Sequence, residues 1–382
     1  MEKHFIRKEY RIIGCSISRR QFIKLTGRAG LVSAAKGLTG GLIVCSPYVS
    51  QAGTVKTEVL PGRPYHHTAD GFRNPPGSPA HKHDLTAWIK HIWREIGRDE
   101  PEVPTDHFLG HSAAEKALLE TGSRNRLTWL GHSAFLLRLS GWNILIDPFL
   151  SDYATSVPPF GPKRYTPPGL PVDKLPGIDL VIISHNHYDH LDRATLEALP
   201  EKERIPVIVP LKLKKFISEL GFRDVTELDW HDTKKIGPIT VIAIPAVHFS
   251  SRSLFDRNET LWTGYSISDG HIKAYFGGDT GYHSIFKDLG RRYGPFDIGM
   301  VPIGAYKRAS NLKSTHATPE EAVQLGRDLD IKILAPMHWG TLVLSYEPPF
   351  EPPDRFMKAG LASGFSEDRL WKMAVGETRV LV

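Results

Sequence analysis

Ten consecutive residues, Val181-Ile182-Ile183-Ser184-His185-Asn186-His187-Tyr188-Asp189-His190, run an apolar strand straight into four side chains able to ligate a metal. Immediately after a strand, the i, i+2 pair His185 and His187 projects both imidazoles to one side. Asp189 and His190, in the turn that follows, are placed to face a second centre. Imidazole and carboxylate donors suit zinc, and two ions ~3.5–4 Å apart can share one hydroxide. Three more candidates repeat the placement, each a single ligand at the end of an apolar run. Ile242–Val247 leads to His248, Ile272–Gly278 to Asp279, and Ile333–Met337 to His338. A lone histidine is ordinarily a hydrogen-bonded structural residue, but this recurrence points to ligands converging on one rim of a sheet sandwich. Gly277 and Gly278 leave room beside Asp279 for backbone to approach a metal cluster. His132 and His231 have no comparable support and read as structural residues.

Such ligands need rigid elements behind them. From Leu127 onward, short apolar runs alternate with turns and a few helices. Strands are predicted over Phe135–Leu139, Asn143–Ile146, Leu180–Ile183, Val207–Val209, Thr240–Ile244, Ile272–Phe276, Ile298–Val301 and Ile331–Leu334. Helices are predicted over Arg193–Leu199, Leu213–Leu220, Tyr282–Leu289 and Pro319–Leu329. The last has a start signal: Thr318 can cap, Pro319 suits the first helical position, and Glu321 completes a capping box. Hairpin-like pairs mixed with helices argue a layered α/β body with two sheets. Residues 53–83, rich in Pro, Gly and His, show no core periodicity and read as a linker or an extended arm. Leu85–Trp93 has apolar positions at helical spacing, which suits docking on its own domain.

Composition narrows the function classes. With 41% hydrophobic and 24% charged residues, the 382-residue chain is neither a disordered tail nor a polytopic membrane protein. Its net charge of +6 is local: residues 1–52 hold nine of the 48 Lys/Arg but two of the 42 Asp/Glu. The remainder is close to neutral and offers no footprint for nucleic acid, which is not an expected partner. Cys15 and Cys45 both precede residue 53, so a body beginning there has neither a disulfide nor a thiolate metal site.

Ser18-Arg19-Arg20-Gln21-Phe22-Ile23-Lys24 resembles the twin-arginine export signal. The Gly/Ala-rich stretch Leu25–Val49 is interrupted by Arg28 and Lys36, a poor membrane span because a buried charge costs ~2.5–3.5 kcal/mol on insertion scales. Ser50-Gln51-Ala52 is a small-x-small site for a signal peptidase. The expected organisation is a signal peptide over 1–52, a linker and N-terminal extension over 53–124, and a hydrolase domain over 125–382, exported to the periplasm or cell envelope.

The string from His185 to His190 resembles the signature of the metallo-β-lactamase superfamily. A longer series resembles one branch of it, the N-acylphosphatidylethanolamine-hydrolysing phospholipase D family. That series comprises Leu127-Thr128-Trp129-Leu130-Gly131-His132-Ser133, Gly161-Pro162-Lys163-Arg164, Ile183 through Asp192, and Glu227-Leu228-Asp229-Trp230. It continues through Gly277-Gly278-Asp279-Thr280-Gly281-Tyr282, Pro302-Ile303-Gly304-Ala305-Tyr306, Pro319-Glu320-Glu321-Ala322-Val323 and His338-Trp339-Gly340-Thr341. The resemblance implies a four-layer αβ/βα sandwich holding two Zn2+ per chain. By the family's pattern His185, His187 and His248 bind one zinc, and Asp189, His190 and His338 the other, with Asp279 bridging. Asp189 has a second reading as general base, which its spacing makes the lesser one. His316, in Thr315-His316-Ala317, matches a family active-site histidine that contacts the substrate phosphate.

The implied reaction is hydrolysis of N-acylphosphatidylethanolamine-like phospholipid to phosphatidic acid and N-acylethanolamine by hydroxide that the two zincs generate. Peripheral membrane contact through Trp88, Ile89, Ile92 and Trp93, or through Val157–Phe160, would accompany it, as would a homodimer. The same fold also supports hydrolysis of lactones or small cyclic phosphodiesters. From a different class, a non-catalytic envelope metal-binding protein would hold one closed structural ion rather than two exchangeable ones.

Overall fold

The computed structural model describes residues 10–12, 15–17, 62–78, 100–253, 255–307 and 315–382. The leader motif at 18–24 and the stretch Leu85–Trp93 lie outside them. Tyr10–Ile12 (β1) pairs antiparallel with Cys15–Ile17 (β2) in a first unit, and the chain from Thr57 to Val382 forms a second. The second unit begins with α1 (His111–Glu120), β3 (Arg126–Gly131), β4 (Ala134–Leu139), β5 (Trp142–Ile146), β6 (Leu180–Ile182), α2 (Arg193–Ala198), β7 (Val207–Pro210) and α3 (Lys214–Glu219). There follow β8 (Val225–Leu228), β9 (Thr233–Ile236), β10 (Ile239–Ile244), β11 (Gly264–Ser268), β12 (Lys273–Phe276), α4 (Ile285–Tyr293) and β13 (Phe296–Pro302). It closes with α5 (Pro319–Asp328), β14 (Ile331–Met337), α6 (Glu351–Ala362) and β15 (Thr378–Val380).

The strands form two mixed sheets, a seven-stranded one in the order β15-β3-β4-β5-β6-β7-β8 and a six-stranded one in the order β14-β13-β12-β11-β10-β9. Period-2 alternation sorts each strand's side chains between two apolar layers. Leu127, Trp129, Phe135, Leu137, Ile144 and Ile146 join Ile239, Val241, Tyr265 and Ile267 in one core between the sheets. Their alternates Leu136, Leu145, Val181 and Val207 pack with Ala114, Leu118, Leu196 and Ile217 of α1, α2 and α3. On the far side α5 covers β13 and β14, with α4 and α6 against it. The result is a four-layer αβ/βα sandwich, which explains why β3 is buried along its whole length. Each fully buried Leu, Ile or Phe contributes ~1.5–3 kcal/mol, so the strands feeding the site are held firmly.

The capping box at Thr318 and Glu321 is present, with both reciprocal hydrogen bonds. The helix expected over Tyr282–Leu289 begins instead at Ile285, whose N–H is taken by His283 Nδ1. Residues 62–78, read from sequence as linker or arm, pack on the second unit: Phe72 is buried with Trp230, Ala246, Leu261 and Trp262. The compact unit therefore starts well before residue 125.

Candidate metal centre

Strands β6, β10, β12 and β14 each lead, within one to four residues, to the residues expected to do chemistry, and the structure brings those residues together. In one group His185 Nε2 lies 2.8 Å from His187 Nδ1, which lies 3.2 Å from His248 Nε2. Asp279 Oδ2 completes it at 3.8 Å from His185 Nε2 and 3.5 Å from His248 Nε2. In the other group Asp189 Oδ2 is 3.7 Å from His190 Nε2 and 3.5 Å from His338 Nε2. The same Asp279 Oδ2 stands 3.3 Å from His190 Nε2 and 3.2 Å from His338 Nε2. Tetrahedral zinc with ligands at ~2.0–2.1 Å spaces its donor atoms ~3.3 Å apart. Both groups surround that value, and one carboxylate oxygen serves both.

Two independent observations fit cations here. Asp279 Oδ1, His190 Nε2 and His338 Nε2 are buried without a hydrogen-bond partner, which buried polar atoms rarely tolerate. Charge balance says the same. Burial opposes ionisation of Asp279, yet His190, His338 and His316 beside it hold its carboxyl well below the usual range. Burial likewise opposes protonation of His338, but Asp279 and Asp189 lift it to about 9. Conversely, burial and neighbouring imidazoles keep His185 and His187 far below their usual range, and burial takes His248 down to about 4. One half is thus a set of neutral imidazole donors, and the other a carboxylate pair that demands positive charge.

The rings are oriented by partners of their own. Asp147, at the end of β5, accepts from His190 Nδ1 at 2.7 Å, from Ser184 N at 2.6 Å and from Ser184 Oγ at 2.5 Å. His190 therefore carries its proton on Nδ1 and turns the Nε2 lone pair into the site. Ser184 Oγ also lies 2.9 Å from His185 Nδ1, and His248 Nδ1 donates to the Thr315 carbonyl at 2.9 Å. Gly278 has φ +53°, and a Cβ there would lie 2.8 Å from Ser184 Cβ, so glycine alone lets β12 deliver Asp279 beside the His185 turn.

His316 reaches the same pocket, its Nδ1 4.0 Å from Asp279 Oδ2 and its ring 5.0 Å from that of His248. His231 is hydrogen-bonded to Tyr293 through Nδ1, as a structural histidine would be. His132 is a correction. Its Nε2 is 2.8 Å from Asp189 Oδ2 and its ring 4.2 Å from that of His338, so it belongs to the centre. Its partner stands 57 residues on, beyond the reach of local spacing. Asp147 was also missed, although its strand-then-acid placement repeats that of Asp279.

Residues 142–339 match the family model described as a β-lactamase superfamily domain. Over 273 residues the chain is 41% identical to an uncharacterised protein of Mycobacterium tuberculosis, covering 70% of this chain and 72% of that one. It is 37% identical over 240 residues to N-acyl-phosphatidylethanolamine-hydrolyzing phospholipase D 1 of Caenorhabditis elegans, covering 60% of this chain and 67% of the worm protein. Among solved structures, isothiocyanate hydrolase from Delia radicum gut bacteria superposes with a TM-score of 0.53 at 20% identity. That match covers 67% of this chain and 98% of the other, a likeness of fold.

Proposed function

Because this chain belongs to the β-lactamase superfamily, whose fold and metal-dependent hydrolase character it shares, we propose that it is a dizinc phosphodiesterase of phospholipase D type. Its substrates are N-acylphosphatidylethanolamine-like phospholipids, and its products phosphatidic acid and an N-acylethanolamine. The observation that carries the reading is Asp279 Oδ2, placed 3.2–3.8 Å from the Nε2 atoms of His185, His190, His248 and His338. The name of the worm relative supports the substrate class.

His185, His187 and His248 would hold one ion and Asp189, His190 and His338 the other, with Asp279 between them. When bound, the pair would supply a nucleophile at neutral pH and Lewis acidity toward phosphoryl oxygens. The remaining work falls to the chain. Asp147 fixes the His190 tautomer, the Thr315 carbonyl aims His248, and His132 steadies Asp189. His316, buried at the pocket wall, is placed to donate to a phosphate oxygen. Asp189 acts as ligand rather than base, because its Oδ2 already faces His132, His190 and His338.

A lipid substrate needs a surface that holds lipid. Val157 and Phe160 pair across a hairpin tip at 59% and 51% exposure, and Phe255 is 83% exposed on the loop that follows His248. Both loops adjoin the metal turn through Tyr188, which packs near Phe149 and Ala154 and donates its hydroxyl to the Arg252 carbonyl. Among the described residues no helix is long and apolar enough to cross a membrane, and surface contact of this kind requires none. Export by the twin-arginine route, with metals loaded before crossing, belongs to the same proposal.

The test is release of phosphatidic acid from mixed phospholipid vesicles by zinc-loaded protein, with Asp279→Asn as the control. Release that vanishes in the variant supports the reading. Two bound zincs with no release from any lipid would move the substrate to lactones or small phosphodiesters.

A further inference from the structure

We infer that Asn74 is a positioning residue for His248, carried to the metal centre by an N-terminal arm, residues 62–78, that a His66–Asp229–His67 clamp fastens to the sandwich. The inference rests on the two-metal reading of the site.

Asn74 Oδ1 accepts the His248 N–H at 2.9 Å, and Asn74 Nδ2 donates to the His248 carbonyl at 2.8 Å. One side chain thus grips both backbone groups of a buried residue that lies beyond the end of β10, where no sheet ladder holds it. Trp262 Nε1 also donates to Asn74 Oδ1, at 3.1 Å, which settles the orientation of the amide. The backbone grip and the bond from His248 Nδ1 to the Thr315 carbonyl act at opposite ends of the residue. Together they leave its Nε2 little freedom except toward Asp279 and His187.

The arm is built to bring Asn74 there. Phe72 N–H donates to the Asn258 carbonyl at 2.8 Å, and its ring is buried beside Trp230 and Trp262. At Gly71 a Cβ would come within 2.0 Å of that same carbonyl, so a larger residue would lift the arm away. Eight residues before Asn74, His66 Nε2 binds Asp229 Oδ1 at 2.6 Å, and His67 Nε2 binds Oδ2 at 2.7 Å. Each imidazole meets its own Asp229 oxygen at hydrogen-bond distance, so the cluster fastens the arm as a clamp. His66 also stacks on Trp230, with ring centroids 4.3 Å apart.

The experiment is chelator competition on the full chain loaded with cobalt(II), which reports each equivalent of metal and its ligand field by absorption. Three variants are compared with the parent: Asn74→Ala, Asn74→Asp, and the pair His66→Ala/His67→Ala. In Asn74→Ala one equivalent is expected to weaken 10–100-fold, the usual cost of losing a group that orients a ligand. The other equivalent holds, and the metal-free protein melts lower, because the buried His248 N–H and carbonyl lose their side-chain partner. Asn74→Asp keeps the acceptor and loses the donor, so it falls between. The clamp pair weakens the same equivalent as Asn74→Ala, and reports on the arm should Asn74→Ala fail to fold. Two equivalents held at parental affinity in Asn74→Asp and in the clamp pair would overturn the inference. A parent that binds a single ion would overturn the two-metal reading, and the inference with it.

Discussion

Substitution of Asp147 separates orientation of a ligand from its mere presence. Asp147→Asn keeps the side chain's shape but replaces one acceptor oxygen by an NH2. If the remaining oxygen faces Ser184 N–H, the amide meets His190 Nδ1–H donor to donor, where Asp147 Oδ2 now stands at 2.7 Å. His190 must then surrender the bond or move its proton to Nε2, the atom that faces Asp279 at 3.3 Å. Either way the donor set of Asp189, His190 and His338 loses a prepared ligand, and affinity for that ion should fall 10–100-fold. At 1.4 kcal/mol per factor of ten, that is ~1.4–2.8 kcal/mol. Asp147→Ala goes further, stripping the acceptor from Ser184 N and His190 Nδ1 in a fully buried setting, while Ser184 Oγ keeps His185 Nδ1 as a partner. Two orphaned donors at ~1–3 kcal/mol each imply ~2–6 kcal/mol of lost folding stability. Metal titration against a chelator and urea melts of the metal-free protein read the two effects separately. Parental metal affinity in Asp147→Asn, or an Asp147→Ala melt indistinguishable from the parent, would refute the reasoning.

Removing the ions should move protons. With metal bound, His338 is a neutral ligand; metal-free, its pKa stands at about 9, raised above its ordinary value by Asp279 and Asp189 against burial. Chelation in weakly buffered solution at pH 8 should therefore take up protons, an uptake that shrinks as pH rises through about 9 and that a pH electrode measures once the chelator's own proton release is subtracted. His132→Ala frees Asp189 from its 2.8 Å partner, and turnover should fall about 10–100-fold with the fold intact, checked by steady-state kinetics beside a thermal melt. Gly278→Ala puts a Cβ 2.8 Å from Ser184 Cβ at a left-handed φ, which should cost ~1–3 kcal/mol in a urea melt. Phe160→Ser with Phe255→Ser should reduce liposome flotation while leaving metal content at the parental level; unchanged flotation would remove these loops from the lipid contact.

What could be read from the sequence follows from how far each interaction reaches along the chain. A strand that ends in His-x-His-x-Asp-His announces both its own burial and its donors, because period and chemistry share one short window. His248, Asp279 and His338 were legible for the same reason, each finishing an apolar run. A layered α/β body with two sheets followed from those runs and its four layers from the family resemblance, although β3, β8, β9, β11 and β15 escaped notice, each a short strand that its pairing partners complete. The groups that aim the ligands obey no such rule. Asp147 reaches His190 across 43 positions, His132 reaches Asp189 across 57, and Asn74 reaches His248 across 174. Their pairing exists only once the two sheets have closed. The segment read as a linker or an extended arm for want of core periodicity shows the point most clearly. Its contribution is one buried Phe72, two histidines on Asp229 and one amide, too little apolar surface to leave a pattern and enough hydrogen bonding to hold a ligand. The donors therefore lie in local runs, whereas the orientation of the site belongs to the folded sandwich. Variants of Asp147 and Asn74 should accordingly weaken different equivalents of metal, one through His190 and the other through His248.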